Sequence, residues 1–480
     1  LPTRVLDVSR EDPFLFISGG LKAEYVALSH CWGGAQPLVT TASAINDWIH
    51  KIPMKQLPTL YRDAVIVTRS LGLKYLWIDS MCIIQDSEDD WAAEAASMGS
   101  IYRHSYLTIF ALDARDCREG ILIQRPRSAT SPDERAAREA LQPSPFRLRN
   151  IFRSSHLCQR AWALQERLLS PRILYYSTSE MFWECLACTA QEGNTRIKPV
   201  YPSEYDYCSY QCANVKAHLI LPTGSNPSFP LCPQSHWYII VGEYTRCFLT
   251  LPSDKLPAIS GLASLFWEKT QYTYLAGLWV EDFVTGLLWF APCEQDQRCQ
   301  LPSPQYLGPS WSWASTDLRV QYKPLTNRRD YPTPSPDDDI RLINYSIEHA
   351  TANVMGRVNR SAVEVKAGTQ DLYVETANEN NRRCVLYGVD GEECGVGILD
   401  ALYFEVGIRK RCSGIWITER RFQHVKRGVL VPTTYWLYFL IIVPAPDTVA
   451  NNTWRRIGLG WTTMYSYWKF RAEKRVIVLV

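Results

Sequence analysis

Trp91, Glu94, Met98 and Ile101 recur at helical spacing, so a carboxylate sits on a stripe that otherwise packs inward. Its helical neighbours, Asp90, Trp91, Ser97 and Met98, include no lysine or arginine that would explain Glu94 as a surface ion pair. Such a carboxylate can stabilise a developing positive charge, or a backbone amide or a distant arginine such as Arg160 can hold it. A second carboxylate, Asp79, ends the apolar run Tyr75-Leu-Trp-Ile78 and precedes Ser80, which suits holding a ligand hydroxyl or capping the next loop. The string Tyr25-Val-Ala-Leu-Ser-His-Cys-Trp-Gly-Gly34 is a short apolar strand breaking into a glycine turn. There His30 can bond a phosphate or fasten the loop, and Trp32 can stack on a flat heterocycle or plug the turn.

Strands at 25–29, 75–79 and 106–112 alternate with helices, which predicts a parallel sheet covered by helices. Pro58, the stripe Leu60, Ala64, Val67 and Leu71, and the stop at Gly72 define the first crossover helix. The run Asp86-Ser-Glu-Asp-Asp90 supplies caps and first-turn acids for the next, which should reach about Tyr102. Ligands of such sheets bind beyond the carboxyl ends of the strands. The candidate binding residues are therefore Ser29, His30, Trp32 and Gly33 from the first strand end, and Cys82, Gln85 and Trp91 from the second.

Another helix is expected from Leu157 to Leu169, stopped by Pro171, and a hairpin at 173–176 and 181–185. Its Arg160, Trp162, Gln165 and Glu166 are read as structural or supporting, with Arg160 and Glu166 locking helix to sheet through buried pairs. Residues 124–147 look like a surface insertion, and Pro324 to Asp339 like a domain boundary followed by a mostly β unit.

The chain of 480 residues can hold two or three domains, and its net charge of +2 argues against a nucleic-acid partner. The apolar run Tyr435 to Val443 is too short to span a membrane. The chain opens on leucine with no signal peptide, which reads as a fragment, and fifteen cysteines in such a chain suit reduced thiols in the cytoplasm. Cys185, Cys188, Cys208 and Cys212 have a spacing that invites zinc, but the aromatic neighbours of the first pair favour packing, so no metal is expected. A Cys-His nucleophile from Cys31 or Cys82 with His30 or His104 is conceivable but not singled out by spacing. Phosphate-loop, G-x-G-x-x-G and H-E-x-x-H signatures are absent.

The Tyr25 and Tyr75 words, with Leu57-Pro-Thr-Leu-Tyr-Arg-Asp-Ala64, Asp90-Trp-Ala-Ala-Glu94 and Arg160-Ala-Trp-Ala-Leu-Gln-Glu-Arg-Leu-Leu169, closely resemble the fungal heterokaryon incompatibility (HET) domain. The resemblance covers roughly residues 20–190, and Gly308-Pro-Ser-Trp-Ser-Trp-Ala-Ser315 is similar to a word found downstream in such proteins. It implies an α/β fold with a flavodoxin/TIR-like parallel sheet flanked by helices. The expected organisation is a HET domain at 1–190 with its core at about 20–170, an α+β extension at 191–323 and a β-rich domain at 324–480. It further implies a cytoplasmic effector of fungal allorecognition, innate immunity and programmed cell death. Many TIR domains cleave NAD with one glutamate, and Trp91-Ala-Ala-Glu94 is similar to that word, one residue shorter. On this reading Glu94 and Asp79 are catalytic, NAD is substrate rather than cofactor, and the partner is NAD or a related nucleotide. The alternative is a non-enzymatic module that signals by self-association or by binding a partner protein.

Overall fold

The computed structural model describes residues 1–33, 38–124, 151–152, 154–192, 198–199, 216, 233–293, 306–322, 340–378, 381–401, 403–422, 425–426, 429–430, 434–445, 452–463 and 473–480. The insertion expected at 124–147, the boundary expected at 324–339, and Cys208 and Cys212 lie almost wholly outside these residues. Packing divides the chain into two units: Leu1–Leu231 with Cys247–Leu249 and Pro257–Lys269, and Cys232–Arg246 with Thr250–Leu256 and Thr270–Val480.

The strands of the first unit are β1 (Arg4–Asp7), β2 (Phe14–Ile17), β3 (Val26–Ser29), β4 (Tyr75–Ile78), β5 (Leu107–Ala111), β6 (Arg172–Tyr176), β7 (Met181–Cys185), β8 (Cys188–Gln191) and β9 (Lys198–Pro199). They form one sheet in the order β2-β1-β4-β3-β5-β6-β7-β8-β9. The centre, β4-β3-β5-β6, is parallel, and every residue of β3 and β5 is buried, as strands covered on both faces require. The sheet is mixed rather than wholly parallel, because β1 and β2 add an antiparallel pair at one edge and β7 to β9 add antiparallel strands at the other.

Helix α1 (Thr59–Ser70) joins β3 to β4, and α2 (Glu88–His104) joins β4 to β5. Pro58 precedes α1, Leu60, Ala64 and Val67 are buried, and Gly72 leaves it at φ +73°. The Ser87 hydroxyl caps α2 by accepting the Asp90 N–H at 3.3 Å, and three acids fill the first turn. Because β4 lies on one side of β3 and β5 on the other, right-handed crossovers put α1 and α2 on opposite faces of the sheet. The order therefore reverses between β3 and β5.

The third helix is shorter than its sequence pattern. A single 3-10 turn occupies Leu157–Gln159, Arg160 is extended, and α3 runs over Ala161–Leu169. Phe248 explains the break: its N–H donates to Gln159 O at 2.6 Å and its carbonyl accepts the Ala161 N–H at 3.0 Å. Helix α4 (Ser260–Thr270) meets α2 where Gly99 faces Gly261, a spot where a Cβ on either would lie 2.6 Å from the other's Cα.

The second unit is mostly β, with helix Pro233–Tyr244 and short aromatic strands before residue 323. Its main sheet closes on itself, because the long strand Val358–Asn378 pairs with both Asn381–Gly388 and Lys410–Phe422, the two ends of the remaining strand path. Small residues allow this closure: a Cβ on Gly460 would lie 2.2 Å from the Phe439 ring. Among the described residues no helix is long and apolar enough to cross a membrane.

Candidate functional site

Beyond the carboxyl ends of β3 and β4, a chain of polar contacts ties the two strand ends together. The Trp32 indole N–H donates to Asp79 Oδ2 at 2.8 Å, and the Ser80 N–H donates to Asp79 Oδ1 at 2.7 Å. The Tyr61 hydroxyl lies 2.7 Å from Ser80 Oγ and 3.0 Å from His30 Nε2. His30 Nδ1 is buried without a hydrogen bond and lies 3.8 Å from Asp79 Oδ1. Asp79 and Trp32 keep part of their surface in solvent, whereas Ser29, His30 and Tyr61 are buried. Burial holds the imidazole neutral, pushing its pKa down to about 4, with Arg160 adding to the effect and Asp79 opposing it.

Below this layer Glu166, on α3, accepts the Ser29 hydroxyl proton, and the Arg160 guanidinium donates to the His30 carbonyl. Because Arg160 is extended rather than helical, its side chain can reach that loop. Burial raises Glu166 to about 7, against the bond from Ser29 and the charge of Arg160. Gln165 Oε1 accepts the Gly261 N–H at 2.7 Å, fastening α3 to α4, and Trp162 is half-buried on the same helix. Arg160 and Glu166 thus act on the sheet through β3 and its loop rather than through a pair with each other.

Glu94 is buried on α2, as its stripe predicts, beside Met98 and Ile101. Its basic partner is Arg4, whose Nη2 is 3.6 Å from Glu94 Oε1 and bonds both Asp90 oxygens at 2.6 and 2.7 Å. Arg4 Nε also donates to the Cys82 carbonyl at 2.7 Å. Burial raises Glu94 above the usual carboxylate range, with Thr3 and Arg4 pulling the other way. The sequence-derived site residues therefore fall into two groups: Ser29, His30, Trp32 and Asp79 come together with Glu166 and Arg160, while Glu94 joins Arg4 on the β1 side. Gln85 bonds the Asp79 and Ile83 carbonyls at 3.2 Å, and Trp91 is half-buried on α2. Cys82 is buried and its thiol is pushed up to about 12, and burial raises Cys31 as well, so neither is poised as a nucleophile.

Sequence reasoning missed Arg4 and Tyr61. Tyr61 left a faint signal, since it is a phenol on a helix beside the apolar stripe and a buried phenol needs a polar partner. Arg4 left none, because its strand is four residues long.

Gly33 fixes the Trp32 loop. Its φ is +72°, and a Cβ there would lie 2.2 Å from Asp116 Cβ and 2.9 Å from the Arg115 carbonyl. Asp116 cannot easily yield, since it accepts the Arg118 N–H at 2.8 Å and pairs with the same guanidinium. Gly33→Ala is expected to cost about 1–3 kcal/mol in backbone strain alone and to push Trp32 off Asp79. A denaturant midpoint equal to that of the parent protein would refute this.

A family model described as Heterokaryon incompatibility protein (HET) matches residues 25–166. The match begins one residue before β3 and ends on Glu166, so it encloses both halves of the Ser29–Glu166 contact. No curated protein and no solved structure matches the chain.

Proposed function

Because residues 25–166 are a HET domain, placing the chain in heterokaryon incompatibility in general terms, we propose that it acts there by hydrolysing NAD at the nicotinamide-ribose bond. The observation that carries this reading is the Trp32–Asp79 pair just beyond the carboxyl ends of β3 and β4, a partly exposed indole and carboxylate on the edge of the sheet where ligands of such folds bind. Nicotinamide leaves as a neutral base and needs no general acid. One carboxylate beside the ribose can stabilise its oxocarbenium character, as carboxylates do in glycosidases. Asp79 is the better placed for this, since Glu94 is buried against Arg4 while Asp79 retains contact with solvent. Trp32 would stack on a base or on the nicotinamide, and Tyr61 and Ser80 would hold the buried side of the site in register.

Nicotinamide release by the purified full chain, at several protein concentrations, tests this. Asp79→Asn is expected to lower the rate about 100-fold or more, the scale of losing one preorganised charge-stabilising group. Glu94→Gln should keep most of it. The reverse ranking would return the catalytic role to Glu94, and absence of release from the parent chain at every concentration would reject hydrolysis. A second reading, a non-enzymatic signalling module that self-associates or binds a partner protein, draws support from the internal satisfaction of Glu94 and Glu166.

A further inference from the structure

Cys185 ends β7 and Cys188 begins β8. The register Trp183↔Ala190, Glu184↔Thr189 runs up to them, so the two cysteines oppose each other across a tight turn made by Leu186 and Ala187. Directly opposed antiparallel positions have Cα atoms about 4.5–5.5 Å apart, inside the range a disulfide spans. The sulfurs already lie 3.6 Å apart. The two thiols are not equivalent. Cys185 Sγ accepts the Cys188 N–H at 3.4 Å. Burial opposes the Cys185 thiolate, but hydrogen bonding to its sulfur prevails and lowers it, whereas burial and the neighbouring sulfur raise Cys188. Both residues are half-buried, unlike Cys31 and Cys82.

We propose that Cys185 and Cys188 form a thiol-oxidation site for small peroxides, with Cys185 as the attacking thiolate and Cys188 as the resolving thiol. In the first step the Cys185 thiolate attacks one peroxide oxygen, the O–O bond breaks, and the hydroxide that leaves takes up the proton released when the Cys185 thiol ionised, giving water. The resulting sulfenic acid is displaced by Cys188, which forms the S–S bond and releases water. The two thiols together give up the two electrons that reduce hydrogen peroxide to water, and a small thiol such as glutathione restores them. The site is independent of the proposed action on NAD, since it lies on the antiparallel edge of the sheet rather than at the end of β3.

The test uses the full chain, first fully reduced and then freed of reductant. Limited alkylation at neutral pH, read by peptide mapping, should label Cys185 about tenfold faster than Cys188. Hydrogen peroxide should then produce a Cys185–Cys188 disulfide, seen as the loss of two hydrogens from the linking peptide and reversed by glutathione. In Cys188→Ser a sulfenic acid should be trapped on Cys185 by dimedone, whereas Cys185→Ser should leave Cys188 untrapped. Equal labelling of the two thiols, or peroxide exposure that leaves both reduced while they still alkylate, would overturn the proposal. Chelator-reversible protection of both by stoichiometric zinc would overturn it too, by making them metal ligands. The parent-chain readings do not depend on the variants folding.

Discussion

Arg4→Met is expected to destabilise the first unit by about 3–5 kcal/mol, the scale of removing one partner from a buried charge cluster. Methionine keeps most of the apolar stem, so the loss does not come from a cavity. It comes from what the guanidinium leaves behind. The Cys82 carbonyl loses its 2.7 Å donor, Asp90 loses a two-oxygen partner, and the Glu94 carboxylate, 5% exposed, loses its cation. Burial already lifts the Glu94 pKa, and without Arg4 it lifts further, so the residue would take up a proton rather than stay charged. Adding Glu94→Gln to Arg4→Met should therefore recover part of the loss, making the two changes clearly non-additive. Glu94→Gln alone should cost little, because Asp90 still holds Arg4. The check is a denaturant midpoint for the two single variants and the double, with unchanged slope. A loss below about 1 kcal/mol for Arg4→Met, or strict additivity, would show that Arg4 does not compensate Glu94.

The same cluster marks how far the sequence could be read. Local signals were legible: the apolar runs that became β3, β4 and β5, the Pro58 and Gly72 bounds of α1, the acids that start α2, and the inward stripe carrying Glu94. Each depends on residues within one or two turns. The identity of the partners was not legible, since Arg4 meets Glu94 only because a short strand adds antiparallel to β4, placing residues 90 positions apart in contact. For the same reason the helical pattern of Leu157–Leu169 does not reveal that Arg160 is extended. Its extended backbone is imposed by Phe248, a residue from a distant segment with no local trace in the Leu157–Leu169 pattern. The Ser29–Glu166 bond likewise joins two words that the sequence offered separately. In the second unit Ala362 to Val365 stood out as a strand, but Val358–Asn378 continues through Gly368, Thr369 and Gln370, which interrupt the alternation, so the closure of the sheet had no sequence signal.

His30 and Glu166 should give the parent protein a flat stability profile where each alone would give a steep one. An ordinary glutamate titrates near 4.5, whereas burial holds Glu166 up to about 7, so between these pH values the folded chain keeps a proton that the unfolded chain has released. Stability from this group is then present at low pH and lost as pH rises to about 7. His30 runs the other way. Its value falls from 6.5 to about 4, so the unfolded chain binds a proton that the folded chain refuses, and stability is lost as pH falls through that window. Where the windows overlap, the two slopes have opposite sign and similar size, at most about 1.4 kcal/mol per pH unit each. Glu166→Gln keeps an acceptor for Ser29 and removes one slope, so its stability relative to the parent should rise by about 3 kcal/mol between acid and neutral pH. His30→Gln keeps a partner for the Tyr61 hydroxyl and should show the opposite trend, falling as pH rises. Denaturant midpoints of both variants and the parent across pH 4 to 8 decide the matter. Parallel curves for all three would mean that Glu166 and His30 titrate alike in the folded and unfolded chain, and that their burial behind Ser29 and Trp32 does not set their protonation. Mirror-image slopes would show that the layer beneath the candidate site holds one neutral imidazole and one proton-retaining carboxyl, leaving Asp79 as the carboxylate available to a ligand.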